Sequence, residues 1–360
     1  MGSTWGSNIK ISLFGESHGS CVGINIDGLP AGFEINLDEI KHQLYRRSSV
    51  DESLSTPRKE LDDFEILSGF FNNKTTGSPL CVIFKNKNIN SEFFEKNFNK
   101  PRPSTADLTL AIRYNFNNDY RSAGHSSARL TVGLVFAGNI CYQILKQKFN
   151  ITVGSHIISL YKKTSESLDK SNISRSLLHR LSLEYFPVIK DNDKQIYINI
   201  IKKLKNNGNT AGGKIETAIL GLPIGIGSPI FDNLESKIAS LLFSIPAVKS
   251  VDFGLGIDKL DGFSANDEFF FDNNLNIKTR TNNHCGILGG ISSGEPIIFQ
   301  VGFKPIASIS KTQNTIDLNT KKNTSIKINT NNDISPVIRA APIVEAAVSI
   351  AILDLFYNKY

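Results

Sequence analysis

Asp119-Tyr-Arg-Ser-Ala-Gly-His-Ser-Ser-Ala-Arg129 leads straight into Leu130-Thr-Val-Gly-Leu-Val-Phe-Ala-Gly-Asn-Ile-Cys-Tyr-Gln-Ile-Leu145, one of the two longest apolar runs of the chain. Leu130, Val132, Val135, Phe136, Ile140, Ile144 and Leu145 cover most of the circumference of a helix over residues 127–149. A helix apolar nearly all round belongs inside a layered core. The polar turn before it carries two arginines, a histidine and three serines around Gly124. Ser126 and Ser127 can cap the helix and Gly124 allows close backbone approach, so N–H groups and guanidinium forks converge as in an anion site at a helix start. Phosphate or carboxylate is the ligand such a turn suits.

Working outward, residues 9–14 and 21–26 alternate like strands on either side of a glycine-bearing turn, and residues 37–47 have helical spacing. Residues 78–84, 215–220, 251–253 and 297–301 read as strands, residues 88–99 as loop or short helix, and residues 234–244 as a helix. A closing helix over residues 342–356 is predicted to start near Pro342, which suits the first helical position. Strands and helices mix without a βαβ beat. An α+β layered sandwich is therefore expected rather than a doubly wound parallel sheet.

With 360 residues, 40% of them hydrophobic, the chain can bury a large core. The apolar runs at 130–145 and 343–356 are interrupted by polar residues and are expected to fall short of a membrane span. Met1-Gly-Ser-Thr-Trp-Gly-Ser-Asn8 has no basic stretch leading into an apolar one, so a cytoplasmic protein is the expectation. Cys21, Cys81, Cys141 and Cys285 stand apart without CxxC spacing, which argues against a metal site or a disulfide framework. A net charge of +6 and a pI near 9.0 would suit nucleic acid. The lysines, however, gather in Asn- and Lys-rich stretches, residues 202–209 and 311–332, that read as solvated loops without interleaved aromatics. Arginines 46, 47, 58, 102, 121, 129 and 339 instead lie beside Gly, Pro, Ser or Thr, as local anion sites would.

Several short motifs remain. Phe14-Gly-Glu-Ser-His18-Gly19 sets a histidine between glycines at a strand end. Ser55-Thr-Pro-Arg58-Lys-Glu60 and Arg102-Pro-Ser-Thr-Ala-Asp107 are turns presenting arginines, and residues 286–294 form a glycine-rich stretch that reads most simply as a hairpin turn. Lys304-Pro-Ile-Ala-Ser308 and Arg339-Ala-Ala-Pro-Ile-Val-Glu345 complete the set. Neither Walker A nor Rossmann spacing occurs.

In this order, and over nearly the whole chain, the motifs resemble the chorismate synthase family. The resemblance implies one domain over residues 1–360, with helices between antiparallel sheets. It implies a lyase of the shikimate pathway that converts 5-enolpyruvylshikimate 3-phosphate to chorismate by loss of phosphate and a C–H proton. Reduced FMN is the implied cofactor, NADPH its reductant in some members, and a homotetramer the usual assembly. Matched to family motifs, Arg47, Arg129, Arg339 and Arg58 bind substrate anions, with Arg102 a further candidate, and Arg47 also matches an NADPH-associated position. His125, Ser126, Ser127, Pro246, Ala247, Gly289, Lys304, Pro305, Ile306, Ala307 and Ser308 hold the flavin. His18 is the implied acid toward reduced flavin, Asp354 the carboxylate of the proton relay, and Ser127 either a relay member or a helix cap. A substrate with two carboxylates and a phosphate needs several guanidinium groups in a closed site, which this arginine inventory supplies.

The chain departs from the family at three places. Thr105 stands where the family has a histidine thought to assist phosphate departure, Asn331 where it has a flavin-contacting arginine, and Ser53 where it has an NADPH-associated arginine. A slow enzyme, or a degraded homologue that binds flavin or anions without turnover, are the alternatives these losses raise. Retention of His18 favours the enzyme.

Overall fold

A computed structural model describes residues 2–49, 62–87, 89–328 and 332–359. Two five-stranded antiparallel sheets enclose the long helices. The first sheet runs in the spatial order Thr4–Trp5, Lys10–Gly15, Cys21–Asp27, Leu80–Lys85 and Glu65–Ser68. Leu80, Val82 and Phe84 point inward while Cys81, Ile83 and Lys85 alternate outward. That period of two is what a sheet with one covered face requires. The second sheet runs Val248–Phe253, Ile297–Phe303, Gly213–Leu220, Thr152–Leu160 and Lys163–Thr164. Its central strands are buried almost throughout, because the helix Arg175–Leu183 covers the outer face as well.

Between the sheets lie Thr131–Phe149, packed on the first, and Val337–Lys359, packed on the second. The two helices meet where a Cβ on Gly138 would stand 2.3 Å from the Ala346 backbone, so only glycine permits this spacing. One buried cluster, from Ile9 through Phe136 and Ile219 to Phe356, joins both sheets. The expected α+β sandwich with internal helices is thus the observed architecture. The helical stretches Arg121–Phe149 and Val337–Tyr357 are, contrary to expectation, long and apolar enough to cross a membrane, yet 89% and 94% of their apolar windows is buried inside the fold.

Most elements fall where the residue pattern put them, and the helix Leu37–Arg47 does so to the residue. The first turn after the polar motif is 3₁₀, Ala128–Leu130, before α-helix begins at Thr131, and Ser127 caps it through its side chain to the Arg129 N–H. Three expectations need correction, and one strand, Thr152–Leu160, was not expected at all. The closing helix starts at Val337, five residues before Pro342, which sits inside it. Proline forfeits one backbone hydrogen bond there; burial of Val337, Ile338, Ala340 and Ala341 accompanies the extra turn. Strand Thr152–Leu160 was hidden by its polar residues, which are buried in cross-strand pairs: His156 Nε2 with Glu216 Oε2 at 2.9 Å, and Ser155 with Thr217 at 2.9 Å. Residues 202–206 close the amphipathic helix Asp191–Asn206, which buries Tyr197, Ile201 and Leu204 and turns its lysines outward. Within residues 311–332, Gln313–Asp317 and Lys322–Ile326 pair as a hairpin rather than forming a loop.

Candidate active site

The loop Arg121–Ser126 is bent by three successive residues at positive φ: Ser122 at 50°, Ala123 at 66° and Gly124 at 50°. Such backbone persists where its surroundings enforce it. Here the Gly124 carbonyl accepts the Ser17 N–H at 3.1 Å, and His125 Nδ1 bonds the Gly15 carbonyl at 2.8 Å, which sews the loop to the turn carrying His18. A Cβ on Gly124 would meet the Asp119 carbonyl at 2.4 Å. Arg121 turns away onto Asp119 in a two-armed pair at 2.9 and 2.8 Å. Burial alone would raise Asp119, but the hydrogen bonds and charge of Arg121 outweigh it and hold the carboxyl below its ordinary range.

Two cavities flank this loop. The first, about 960 Å³, is lined by His18, Arg47, Arg129 and Arg339 together with Asp62 and Asp333. The second, about 800 Å³, is lined by His125, Ser126, Ser127, Lys249 and residues 304–308 against an apolar wall of Trp5, Leu13, Leu134 and Leu241. Ser127, Thr131, Pro246, Ala247 and Ile306 line both, so the cavities share a wall and form one cleft. Ala247 takes a left-handed φ of 76°, and its carbonyl accepts the Lys304 N–H at 2.9 Å, which fixes that wall.

In the first cavity each arginine is held by an internal carboxylate. Asp62, 2% exposed at its side chain, lies 3.4 Å from Arg47 Nε and accepts from Arg129 Nη1 at 2.5 Å. Arg129 also donates to Asn86 Oδ1 at 3.0 Å, and Arg339 donates to Asp333. Arg47 owes its direction to its neighbour: Arg46 is fully buried and donates to Glu345 at 2.6 Å, which pins the helix Leu37–Arg47 with the next side chain facing the cleft. Burial pushes the Glu345 carboxyl up, against the charge of Arg46. His18 is 6% exposed, with Nδ1 2.8 Å from Ser91 Oγ and its ring edge-on to Phe94 at 5.3 Å. Preorganised cations in a recess take up dispersed anionic charge with little reorganisation.

The residues expected to bind substrate and those expected to bind flavin separate along these cavities. Arg47, Arg129, Arg339 and His18 line the first; His125, Ser126, Lys304, Pro305, Ala307 and Ser308 line the second; Ser127, Pro246, Ala247 and Ile306 line both. Gly289 does not join them: it is exposed in the turn between Ile287–Leu288 and Ile291–Ser292, outside both linings. Arg102 forks onto Asp107 at 2.7 and 2.8 Å and reaches the second cavity beside Thr105, whose Oγ1 donates to the Arg102 carbonyl. Arg58, Ser53 and Asn331 lie outside the described residues.

Asp354, matched to the proton relay, lines neither cavity. Its side chain is fully buried away from both linings, and Oδ1 accepts the backbone N–H groups of Ser7, Asn8 and Ile9 at 2.9, 2.6 and 2.9 Å. So placed, the carboxylate ties the closing helix to residues 7–9. Among the described residues, the carboxylates that line the first cavity, Asp62, Glu92 and Asp333, were given no role from sequence. Asp62 could have been sought two residues after the Arg58 turn, and Asp333 as the retained acid of Asn331-Asn332-Asp333.

The chorismate synthase family model matches residues 9–357. The chain is 38% identical to a chorismate synthase of Methanocaldococcus jannaschii over 98% of its own length and 95% of that protein's. It is 40% identical to one from Dehalococcoides mccartyi, over 99% and 96%. Among solved structures, a crystal structure of chorismate synthase superposes with a TM-score of 0.77 at 27% identity, covering 99% of this chain and 93% of that one.

Proposed function

Because the chain belongs to the chorismate synthase family, we propose that its cleft works as two halves, the first cavity for substrate and the second for the flavin. The enzyme is a carbon–oxygen lyase that converts 5-enolpyruvylshikimate 3-phosphate to chorismate and phosphate by 1,4-elimination, the last common step toward the aromatic amino acids. It depends on a reduced flavin, which when bound supplies electron density to the reacting substrate and leaves the cycle without net redox change.

One observation carries the division: Arg47, Arg129 and Arg339, matched to substrate, line the first cavity only, while the residues matched to flavin line the second or the wall it shares with the first, Gly289 excepted. The second cavity suits a flavin, since an apolar wall takes a planar ring while Lys304, Lys249 and the Ser126 and Ser308 hydroxyls face the polar remainder. FMN is the flavin this reading takes, with NADPH as its reductant and Arg47 nearest to an NADPH role.

In the substrate half, Arg47, Arg129 and Arg339 neutralise the carboxylates and the departing phosphate, and Asp62 and Asp333 keep the guanidinium groups in place. His18, oriented by Ser91, is the titratable group that holds or delivers a proton at the edge of the cavity. Ser127, on the shared wall, caps the 3₁₀ turn and keeps its oxygen on the Arg129 N–H. In this reading Asp333, which lines the first cavity, is a carboxylate better placed for the proton relay than Asp354.

We take residues 1–360 as one domain, which the cluster joining both sheets supports. The working form in this reading is a cytoplasmic homotetramer. Phe263, Phe269, Phe271 and Leu275, between 66% and 89% exposed, offer the kind of apolar face that subunit contacts cover. A flavin or anion binder without turnover finds no support among the described residues, since His18 and three arginines remain on the cleft.

Purified protein with reduced FMN and 5-enolpyruvylshikimate 3-phosphate under anaerobic conditions is expected to release chorismate and phosphate in equal amounts. No product at high enzyme concentration would overturn the reading.

A further inference from the structure

The sole tryptophan of the chain, Trp5, lines the second cavity together with Gly2, Ser3 and Thr4. A two-residue edge strand has little pairing of its own to hold it. This one is tied down at every turn. Thr4 and Trp5 pair with Ser12 and Ile11, the Ser3 carbonyl accepts the Leu13 N–H at 2.9 Å, and Ser3 Oγ lies 3.1 Å from His125 Nε2. Trp5 Nε1 donates to Ser240 Oγ at 2.9 Å, and the Lys237 ammonium stands 5.3 Å from the Trp5 ring centroid.

Behind the strand lies Asp354. One of its oxygens gathers the N–H groups of Ser7, Asn8 and Ile9, the other lies 3.2 Å from Lys237 Nζ, and its own carbonyl accepts from Asn8 Nδ2 at 3.0 Å. Lys237 also donates to Ser7 Oγ at 3.2 Å. A buried carboxylate repays its desolvation only through close partners; those of the Asp354 side chain are the backbone that follows Trp5, on Oδ1, and the lysine that stacks on the Trp5 ring, paired with Oδ2.

We propose that Trp5 is a flavin-contacting residue and that Asp354, through Lys237 and the backbone of residues 7–9, positions it as a wall of the second cavity. The proposal rests on the flavin reading of that cavity. It gives Asp354 a role in cofactor binding in place of proton transfer, and it gives the last turns of the closing helix a hold on the first residues of the chain. The ring presents a face at low conformational cost, and the cation over it polarises its electrons.

The test uses the full chain and oxidised FMN without substrate. Trp5 emission is expected to fall by at least half, saturating over the concentration range in which equilibrium dialysis shows FMN bound. Trp5→Ala should raise the FMN Kd by about 10-fold, the upper end for an aromatic contact, and Trp5→Phe by less. Asp354→Asn should shift Trp5 emission to the red before flavin is added, speed amide exchange of residues 3–9, and raise the FMN Kd, with substrate KM at saturating flavin unchanged. Lys237→Met, which leaves the three backbone bonds in place, should raise the FMN Kd in the same direction and serves if Asp354→Asn does not fold. FMN bound with Trp5 emission unchanged overturns the proposal alone, as does a folded Asp354→Asn or Lys237→Met with wild-type FMN affinity. If dialysis finds no FMN bound to the wild-type chain, the flavin reading of the cavity falls and this proposal with it.

Discussion

The two halves of the cleft differ in how they hold charge. The first is built from guanidinium groups already matched to carboxylates, Arg47 and Arg129 to the buried Asp62 and Arg339 to the partly buried Asp333, whereas the second has one such guanidinium, Arg102 on Asp107, and otherwise sets lysines and hydroxyls beside an apolar wall. An anion-rich substrate demands several cations at close quarters, and cations at close quarters need an internal counter-ion to stay folded when no substrate is bound. A planar, largely apolar cofactor demands shape, with charge at one end only. The contrast teaches that the paired acids belong to the cost of holding arginines in a recess, and need not be catalytic themselves.

The sharpest way to break this comparison is to remove a group from one half and read both. His18→Ala is expected to lower kcat by about 10²–10⁴, the usual range for a lost general acid, with the FMN Kd within about 2-fold of wild type; an equal loss in FMN affinity would move His18 into the flavin half. Arg129→Ala leaves Asp62 buried with one partner fewer. It should cost about 100-fold in kcat/KM, in line with truncating one member of a buried charge pair, and steady-state kinetics with saturating reduced FMN measures it.

Lys304→Met probes the other side. Its ammonium donates to the Ser104 carbonyl at 2.6 Å at the second cavity, where the proposed reading puts the flavin phosphate. Loss of one charge-assisted contact predicts an FMN Kd raised about 10-fold, read by equilibrium dialysis, with substrate KM unchanged at saturating flavin. Thr105→His has the smallest expected effect. The family places a phosphate-assisting histidine here, but Thr105 lines the second cavity and not the first. We expect kcat within about 3-fold of wild type and a change in FMN affinity instead. A clear rise in turnover would return Thr105 to the leaving-group side and blur the line between the halves.

Much of this was legible in one dimension. The helix Leu37–Arg47 shows in its spacing, and so does the buried helix after the polar turn, because a 3.6-residue period survives in the sequence whatever the partners are. Strand Thr152–Leu160 did not show, since Ser155 and His156 look like surface residues until Thr217 and Glu216 arrive from a strand some sixty positions away. The surroundings of Asp354 did not show either. Its role came only from the match to the family, while its partners, the amides of Ser7 to Ile9, lie some 345 positions away in sequence.

By itself the sequence determined the residue types on the cleft, the order of motifs that carries the family, and the apolar periods that build the core, because these are local in the chain. Only the tertiary structure decided which arginine faces which acid, that the site divides into two cavities sharing the wall of Ser127 and Pro246, and that Asp354 anchors the chain's beginning. Each depends on contacts between residues far apart in sequence, whose geometry is set by how two sheets and two helices pack.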